Sequence, residues 1–578
     1  MTSMPWRSMV WLLLAVATSA SAAEGTGPTA AWLEELGVEG LLCWPLGRRA
    51  APGPVAAIQH RDELDFDLPK RRLLLVADST AARDAVRAAL RWFYTDAAAA
   101  PVRETMLLSA IPHLHGERLR PEGVHYPPAL PAYLAEDPAT QYAWRWIGMQ
   151  APDLVVEVHS GETRQWYAAA GTPVASGSLA TTLQAAEAPA AYALVQGLAQ
   201  QAPARVGRIP ALGVSTEGNA AGGFLRELSA AWGDESAVSP ARAALQARLA
   251  CEPLAVSRQL AEVYGRDLSA VSYIPALALI GKLQLSDLSA DDRYEQQVQR
   301  AVKPYADGKR TSSPTSGSAL AGHLIFAAMA DRSEDASRRA RWTELAQQAS
   351  DLGFNREGEP AAVMPFHSEM SDAIFMGGPI LAQVGHLTGE TRYFELCRRH
   401  LVFMRRLVLR EDGLYRHSPL CETAWGRGNG FPALGLTLCL EFWPAAEPGR
   451  EELQEWLRDH LRALVKHQDA SGCWHQIIDR PESYRELSST CMITYALARG
   501  VRGKWLAEEE FAVPLRRAWQ AIKLRVAADG HLVDVCTGTG KQENAEAYYR
   551  RTAILGKDPR GGAMALLAAN EMVRYFAR

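Results

Sequence analysis

Short apolar runs and amphipathic stretches alternate along the first half of the chain. "RRLLLVAD", "ETMLLSAIP" and "DLVVEVHS" read as buried strands, whereas "TAARDAVRAALRWFY" spaces its apolar residues at helical intervals. That rhythm predicts an α/β domain from about residue 30 to 250. From about residue 255 onward strand-like runs nearly vanish, and helix follows helix. The second half also repeats itself. Gly413, Gly472 and Gly530, in "REDGLYRHSP", "DASGCWHQIID" and "AADGHLVDVC", stand 59 and 58 residues apart. Each follows a helix with a charged face, such as "ELQEWLRDHLRALVKHQ", and precedes a smaller-residue, apolar one, such as "SSTCMITYALARG". A period of that size predicts one helical hairpin per repeat. Charged-faced helices suit an outer ring and all-round apolar helices an inner one, so the hairpins are expected to close into an α/α barrel. The outer-to-inner connections then gather at one end, where His417, Trp425, Arg427, Trp474, His475, Asp479, Tyr484 and Asp534 concentrate.

The ends and the totals change this picture little. "MTSMPWRSMVWLLLAVATSASAAEG" has a basic residue at Arg7, an apolar run from Met9 to Ala17 and Ala20-Ser21-Ala22 as an A-x-A cleavage site, which predicts a signal peptide over 1–22 and an exported protein, periplasmic or secreted. No later run reaches the roughly 20 apolar residues of a membrane helix, so no membrane partner is expected. The expected domains are 23–250 for the α/β part and 255–578 for the barrel. With 48% apolar residues and a net charge of −4, the chain can fill its cores and spreads no strong field, which argues against a nucleic-acid partner. The eight cysteines include no C-x-x-C pair, so no zinc framework is indicated, and buried thiols are the plainer reading.

The chemistry-bearing residues of the second half lie in "SDAIFMGGPILAQVGHLTGETRYFE", "WGRGNGF", "HQDASGCWHQIIDRPESYRELSSTCMITYALARG" and "DVCTGTG...YYRR...DPRGGAMALLAANE". Together and in this order they resemble the unsaturated rhamnogalacturonyl hydrolases of glycoside hydrolase family 105 and the unsaturated glucuronyl hydrolases of family 88. The resemblance implies an (α/α)6 barrel, an oligosaccharide substrate with a C4=C5 uronate at its non-reducing end, hydration of that vinyl ether, and no metal or nucleotide cofactor. One carboxyl group that gives a proton to C4 and takes one from the water attacking C5 serves such chemistry. Asp372 stands where the family carries it, and His417 matches a family position near the substrate. Taken without its motif, Asp372 reads equally well as the N-cap of a helix beginning at Ala373. In "WGRGNGF" the glycines would let backbone approach a sugar, Trp425 would stack on a pyranose face and Arg427 would grip the uronate as a charged fork. A turn holding a core Trp is the alternative, and Asn429 reads as a turn or cap residue. His367, on a family active-site segment, and Trp474 and His475, in the repeated turn, complete the substrate-binding candidates.

Two departures from the family pattern stand out. The Asp positions of an earlier inner helix, one of which supports the acid in the family, are occupied in "SSPTSGSALAGHLIF" by Gly317 and Ser318, and Met370 replaces a Trp two residues before the acid. Cleavage of saturated uronosides, or glycan binding without catalysis, are the alternatives this leaves open. The N-terminal half resembles a zinc carboxypeptidase in which His159 fits a later metal ligand and Glu217 the general base. "ADSTAARD" lacks the first His-x-x-Glu, and His60 and Glu63 have the spacing but precede the strand, so no metal is expected.

Overall fold

The computed structural model describes residues 27–48, 54–77, 79–114, 125–128, 138–170, 178–217, 222–232 and 238–578. The signal peptide expected over 1–22 lies outside the described residues, as does Asp78 of "ADSTAARD". The chain forms two compact units. One runs to Ala250 and takes in Pro481–Tyr484; the other comprises Cys251–Arg480 and Arg485–Arg578.

The first unit is built on a mixed sheet of β1 (Leu41–Arg48), β2 (Pro54–His60), β3 (Arg71–Ala77), β4 (Met106–Ile111), β5 (Leu154–Ser160), β6 (Gln165–Ala168), β7 (Ala186–Glu187) and β8 (Ala211–Thr216), in the order β1-β2-β4-β3-β5-β8-β6-β7. The central β4, β3, β5 and β8 run parallel; β1 pairs antiparallel with β2, β2 with β4 and β6 with β8, while β7 runs parallel to β6. Parallel central strands are covered on both faces, and every residue of β3 and β4 is buried. This explains their unbroken apolar runs. The helix Thr80–Thr95 lays Ala82, Val86, Ala89, Leu90 and Phe93 into the same core, and Ser79 caps it by accepting from the Ala82 N–H.

In the second unit the outer helices among the described residues are α1 (Pro253–Val263), α3 (Arg293–Ala306), α6 (Ala336–Ser350), α8 (Thr391–Val408), α10 (Arg450–Val465) and α12 (Glu508–Arg525). They alternate with inner helices α2 (Tyr273–Ser289), the broken pair α4 (Gly317–Gly322) and α5 (Leu324–Arg332), α7 (Ala373–Thr388), α9 (Gly426–Phe442), α11 (Leu487–Arg502) and α14 (Pro559–Phe576). Each inner segment packs on the next, and α14 returns to pack on α2, so the ring closes as an (α/α)6 barrel. Nearly every residue of α7 and α9 is buried, whereas α8 and α10 bury one stripe only.

The repeated glycines mark one turn used three times. Gly413, Gly472 and Gly530 have φ of 84°, 88° and 79°. In each turn the glycine N–H donates three residues back, to the carbonyls of Arg410, Asp469 and Ala527, whose own N–H groups donate to Leu414, Cys473 and His531. Only glycine takes this conformation without strain, and at Gly472 a Cβ would also stand 2.2 Å from the Arg517 carbonyl oxygen. Strands are not wholly missing from this half. The last outer-to-inner connection carries an antiparallel pair, β9 (Leu532–Cys536) and β10 (Ala553–Gly556), with a short helix α13 (Ala545–Tyr549) between them.

Candidate active site

Asp372 sits at the N-cap position of inner helix α7, where a carboxylate ordinarily accepts from the first free N–H groups of the helix. It does not do so: its backbone is helical and its side chain makes no capping bond. Ser316, Asp335, Glu486 and Asp558 do cap their helices in this barrel. Asp372 is 9% exposed, and its Oδ2 is buried without a hydrogen-bond partner. A buried carboxylate oxygen left unpaired costs stability, so its position is better explained by chemistry than by capping.

His417 is the closest ionisable neighbour. Its Nε2 stands 3.2 Å from Asp372 Oδ2, off the line of a hydrogen bond, and is itself unpaired. The two residues are tied through the backbone, because the Ser371 N–H donates to the His417 carbonyl. Nδ1 of His417 faces the Tyr548 hydroxyl at 2.7 Å. Around this group lie Trp425, with its ring 4.5 Å from that of His417, and Tyr273, packed edge-on against Phe375 and Phe431. Burial pushes the Tyr273 phenol up; Arg427 opposes and Asp372 adds to that shift.

The "WGRGNGF" stretch is not a loop. It is the N-cap, Trp425, and the opening residues Gly426–Phe431 of α9, and its glycines give close packing in place of flexibility. A Cβ at Gly426 would meet the His475 carbonyl at 2.6 Å, one at Gly428 would meet Ser371 Oγ at 2.9 Å, and one at Gly430 would meet Met492 Cε at 2.5 Å. Trp425 is 1% exposed, lying against His417 and Tyr548, so it has no open face on which a sugar could stack. Arg427, 2% exposed, donates from Nη1 to the Cys536 carbonyl at 2.7 Å and to Ser488 Oγ at 3.3 Å, and from Nη2 to the Thr537 carbonyl at 2.6 Å. Burial works against its charge, but Cys536, Tyr273, Glu486 and Asp372 outweigh that and hold it protonated. Its fork is spent on the end of β9 instead of reaching for a ligand. Asn429 does more than cap: its Nδ2 donates to the Tyr415 and Trp425 carbonyls and its Oδ1 accepts from the Tyr415 N–H, clamping the strand-like segment that delivers His417.

The remaining candidates do not join the cluster in the same way. Trp474 is fully buried and its indole N–H donates to the Leu464 carbonyl, which makes it a core residue. His475 is 2% exposed and, with Arg485, holds the half-buried Asp469. Burial alone would raise the Asp469 carboxyl, but the Arg485 guanidinium, and after it the contact with His475, pull it well below the ordinary range. His367 is partly exposed in a segment where Phe366, Ser368 and Glu369 all have positive φ, and its ring packs edge-on against Phe403 of α8. Tyr548 and Tyr273 are the residues that sequence reasoning missed. Tyr548 lay within the quoted "YYRR", but nothing in a short polar helix marks one tyrosine as facing a histidine 131 positions earlier.

No second carboxylate stands at the head of α4. Ser316 caps that helix, and a Cβ at Gly317 would meet the Phe366 carbonyl at 3.0 Å and Met376 Cβ at 3.4 Å. In the first unit, His159 lies 3.2 Å from Glu157 and against the Tyr192 ring, and Glu217 is exposed just beyond β8. His60 accepts from the Asp62 N–H in a 3-10 turn, while Glu63 is buried against Gln150. Among the described residues no group of three or more His, Cys, Asp or Glu gathers that could hold a metal ion, and no helix is long and apolar enough to cross a membrane.

Residues 259–576, more than half of the chain, match the profile of glycosyl hydrolase family 88. Among curated proteins, the unsaturated rhamnogalacturonyl hydrolase YesR of Bacillus subtilis (strain 168) is 32% identical over 211 residues, covering 34% of this chain and 58% of that protein. An unsaturated 3S-rhamnoglycuronyl hydrolase of Alteromonas sp. (strain LOR) is 26% identical over 220 residues, 35% of this chain and 50% of its own. The chain thus spans about half the length of the curated relatives it matches. A solved structure of a possible family 105 member from Klebsiella pneumoniae superposes with a TM-score of 0.49 at 22% identity, covering 58% of this chain and 94% of that one. A family 105 glycoside hydrolase from C. acetobutylicum gives 0.48 at 21%, covering 56% and 99%.

Proposed function

The chain belongs to glycosyl hydrolase family 88, and from that premise we propose that it removes the C4=C5 unsaturated uronic acid from the non-reducing end of lyase-generated oligosaccharides. Asp372, protonated, delivers its proton to C4. Water adds to C5 and returns a proton to the carboxylate, leaving a hemiketal. The hemiketal ring opens to a ketone at C5, and the hemiacetal left at C1 expels the remaining sugar as an alcohol. The observation that carries this reading is the buried Asp372 carboxylate, which caps nothing, keeps one oxygen unpaired and faces His417 at 3.2 Å.

The decisive experiment follows the ultraviolet absorbance of the C4=C5 bond in a panel of lyase-treated polysaccharides. Loss of absorbance with release of free sugar supports the reading and names the substrate. Release of a saturated uronate without loss of absorbance would replace it with ordinary uronoside hydrolysis.

Two further parts belong to the same proposal. Export after cleavage near Ala22 rests on Arg7, the run Met9–Ala17 and the A-x-A site. A carboxypeptidase-like N-terminal unit without peptidase chemistry is supported by its mixed sheet, with His159 at the carboxyl end of β5, and by the engagement of His60 and Glu63 elsewhere. Elemental analysis after dialysis is expected to find no stoichiometric zinc; one zinc per chain would overturn that part alone.

A further inference from the structure

Proton transfer from Asp372 to carbon leaves a carboxylate charge in a buried site, and a donor aimed at the oxygen where that charge develops lowers the barrier. With Gly317 at the head of α4, the group in place beside Oδ2 is His417 Nε2, at 3.2 Å. Whether Nε2 carries a proton depends on what the other ring nitrogen meets. His417 is fully buried, and its Nδ1 meets one group, the Tyr548 hydroxyl at 2.7 Å. That hydroxyl already accepts the Gln542 N–H at 3.2 Å, which leaves its own proton to be given to Nδ1. Burial pushes the Tyr548 phenol up and only partly yields to the Gln542 bond, so it remains a donor.

We propose that Tyr548 is a positioning residue for the reaction: by donating to His417 Nδ1 it fixes the imidazole proton on Nε2, 3.2 Å from Asp372 Oδ2, where it stabilises the carboxylate formed as the proton leaves for C4. The support this site gives its acid is thus a hydrogen-bond donor relayed from the last connection of the barrel, in place of a second carboxylate. The inference rests on the proposed hydration for its catalytic consequence, but the tautomer itself can be observed without any substrate.

The test combines a spectroscopic and a kinetic arm on the full chain. Histidine-selective 15N labelling, with the His417 signals identified by their loss in His417→Gln, is expected to show a protonated Nε2 and an unprotonated Nδ1 in the parent. Tyr548→Phe keeps the ring packing and removes the donor, so the His417 signals should move toward a tautomer mixture. On the unsaturated substrate, kcat should fall about tenfold, the worth of one hydrogen bond, with KM nearly unchanged. In a His417→Gln background the same substitution should cost nothing more. A proton found on Nδ1 in the parent, or an unaltered tautomer and kcat in Tyr548→Phe, overturns the proposal. If the parent consumes no unsaturated uronate, the proposed hydration fails, and the tautomer measurement still judges the Tyr548–His417 relation.

Discussion

Asp372 and Arg427 share one cluster yet are engaged in opposite ways. Asp372 leaves an oxygen unpaired in a buried place, the arrangement of a group held for reaction. Asp372→Asn is therefore expected to fold and bind substrate like the parent and to lose at least about a hundredfold in turnover, since an amide cannot supply the proton. Circular dichroism, calorimetric titration and the absorbance assay check the three parts; equal turnover would remove Asp372 from the mechanism. Arg427 has spent its guanidinium on two carbonyls and a serine hydroxyl. Arg427→Lys should therefore act through stability, costing roughly 3 kcal/mol as buried carbonyls lose their donors, and should weaken charged and neutral sugars alike. A loss confined to the uronate ligand would show that the fork reaches the substrate after all.

At the scale of elements, the outer ring pins the inner one through buried histidines. His400 of α8 faces the Ala373 carbonyl at 2.7 Å, in the first turn of α7 beside the candidate acid, and its Nδ1 accepts from the Met364 N–H. His460 of α10 faces the carbonyls of Asn429 and Gly413, each at 3.0 Å. Burial lowers both imidazoles to about 4 against the ordinary 6.5, the carbonyl bonds opposing only in part. Between those two values the unfolded chain binds protons that the folded barrel refuses. The stability contributed by each neutral histidine is thus complete above pH 6.5 and is lost as pH falls toward 4, by about 3 kcal/mol per site. Melting temperatures of the parent should drop through this window, and His400→Gln should flatten the drop by about half. An unchanged slope would mean that these histidines are not what acid attacks.

Across the whole molecule the two units are expected to answer pH in opposite senses. Glu63 of the first unit is buried, and burial pushes its carboxyl up to about 7, with Arg72 opposing. Here the folded unit holds a proton that the unfolded chain has released above its ordinary 4.5, so stability is greatest below 4.5 and declines by about 3 kcal/mol as pH rises to 7. Hydrogen exchange resolved by segment should show β3 and β5 less protected at pH 7.5 than at pH 5, and the inner helices α7 and α9 the reverse; Glu63→Gln should remove the first trend only. This division of the chain was legible before any coordinates, because buried parallel strands and two-ring helices write different apolar periods, and because a turn that needs positive φ at Gly413, Gly472 and Gly530 announces itself as a repeat. Asp372 could be marked as a candidate for the same reason, since it stands in a local motif at the head of an inner helix. The parts taken by Trp425, Arg427, Trp474 and Tyr548 could not, because exposure and hydrogen-bond partners are set by residues brought close from far along the chain. Arg427 is spoken for by carbonyls 109 and 110 positions away, and His417 by a tyrosine 131 positions away. Local sequence carries the propensity to form each helix; which side chains remain free once twelve outer and inner segments have closed into a ring is a property of the packing.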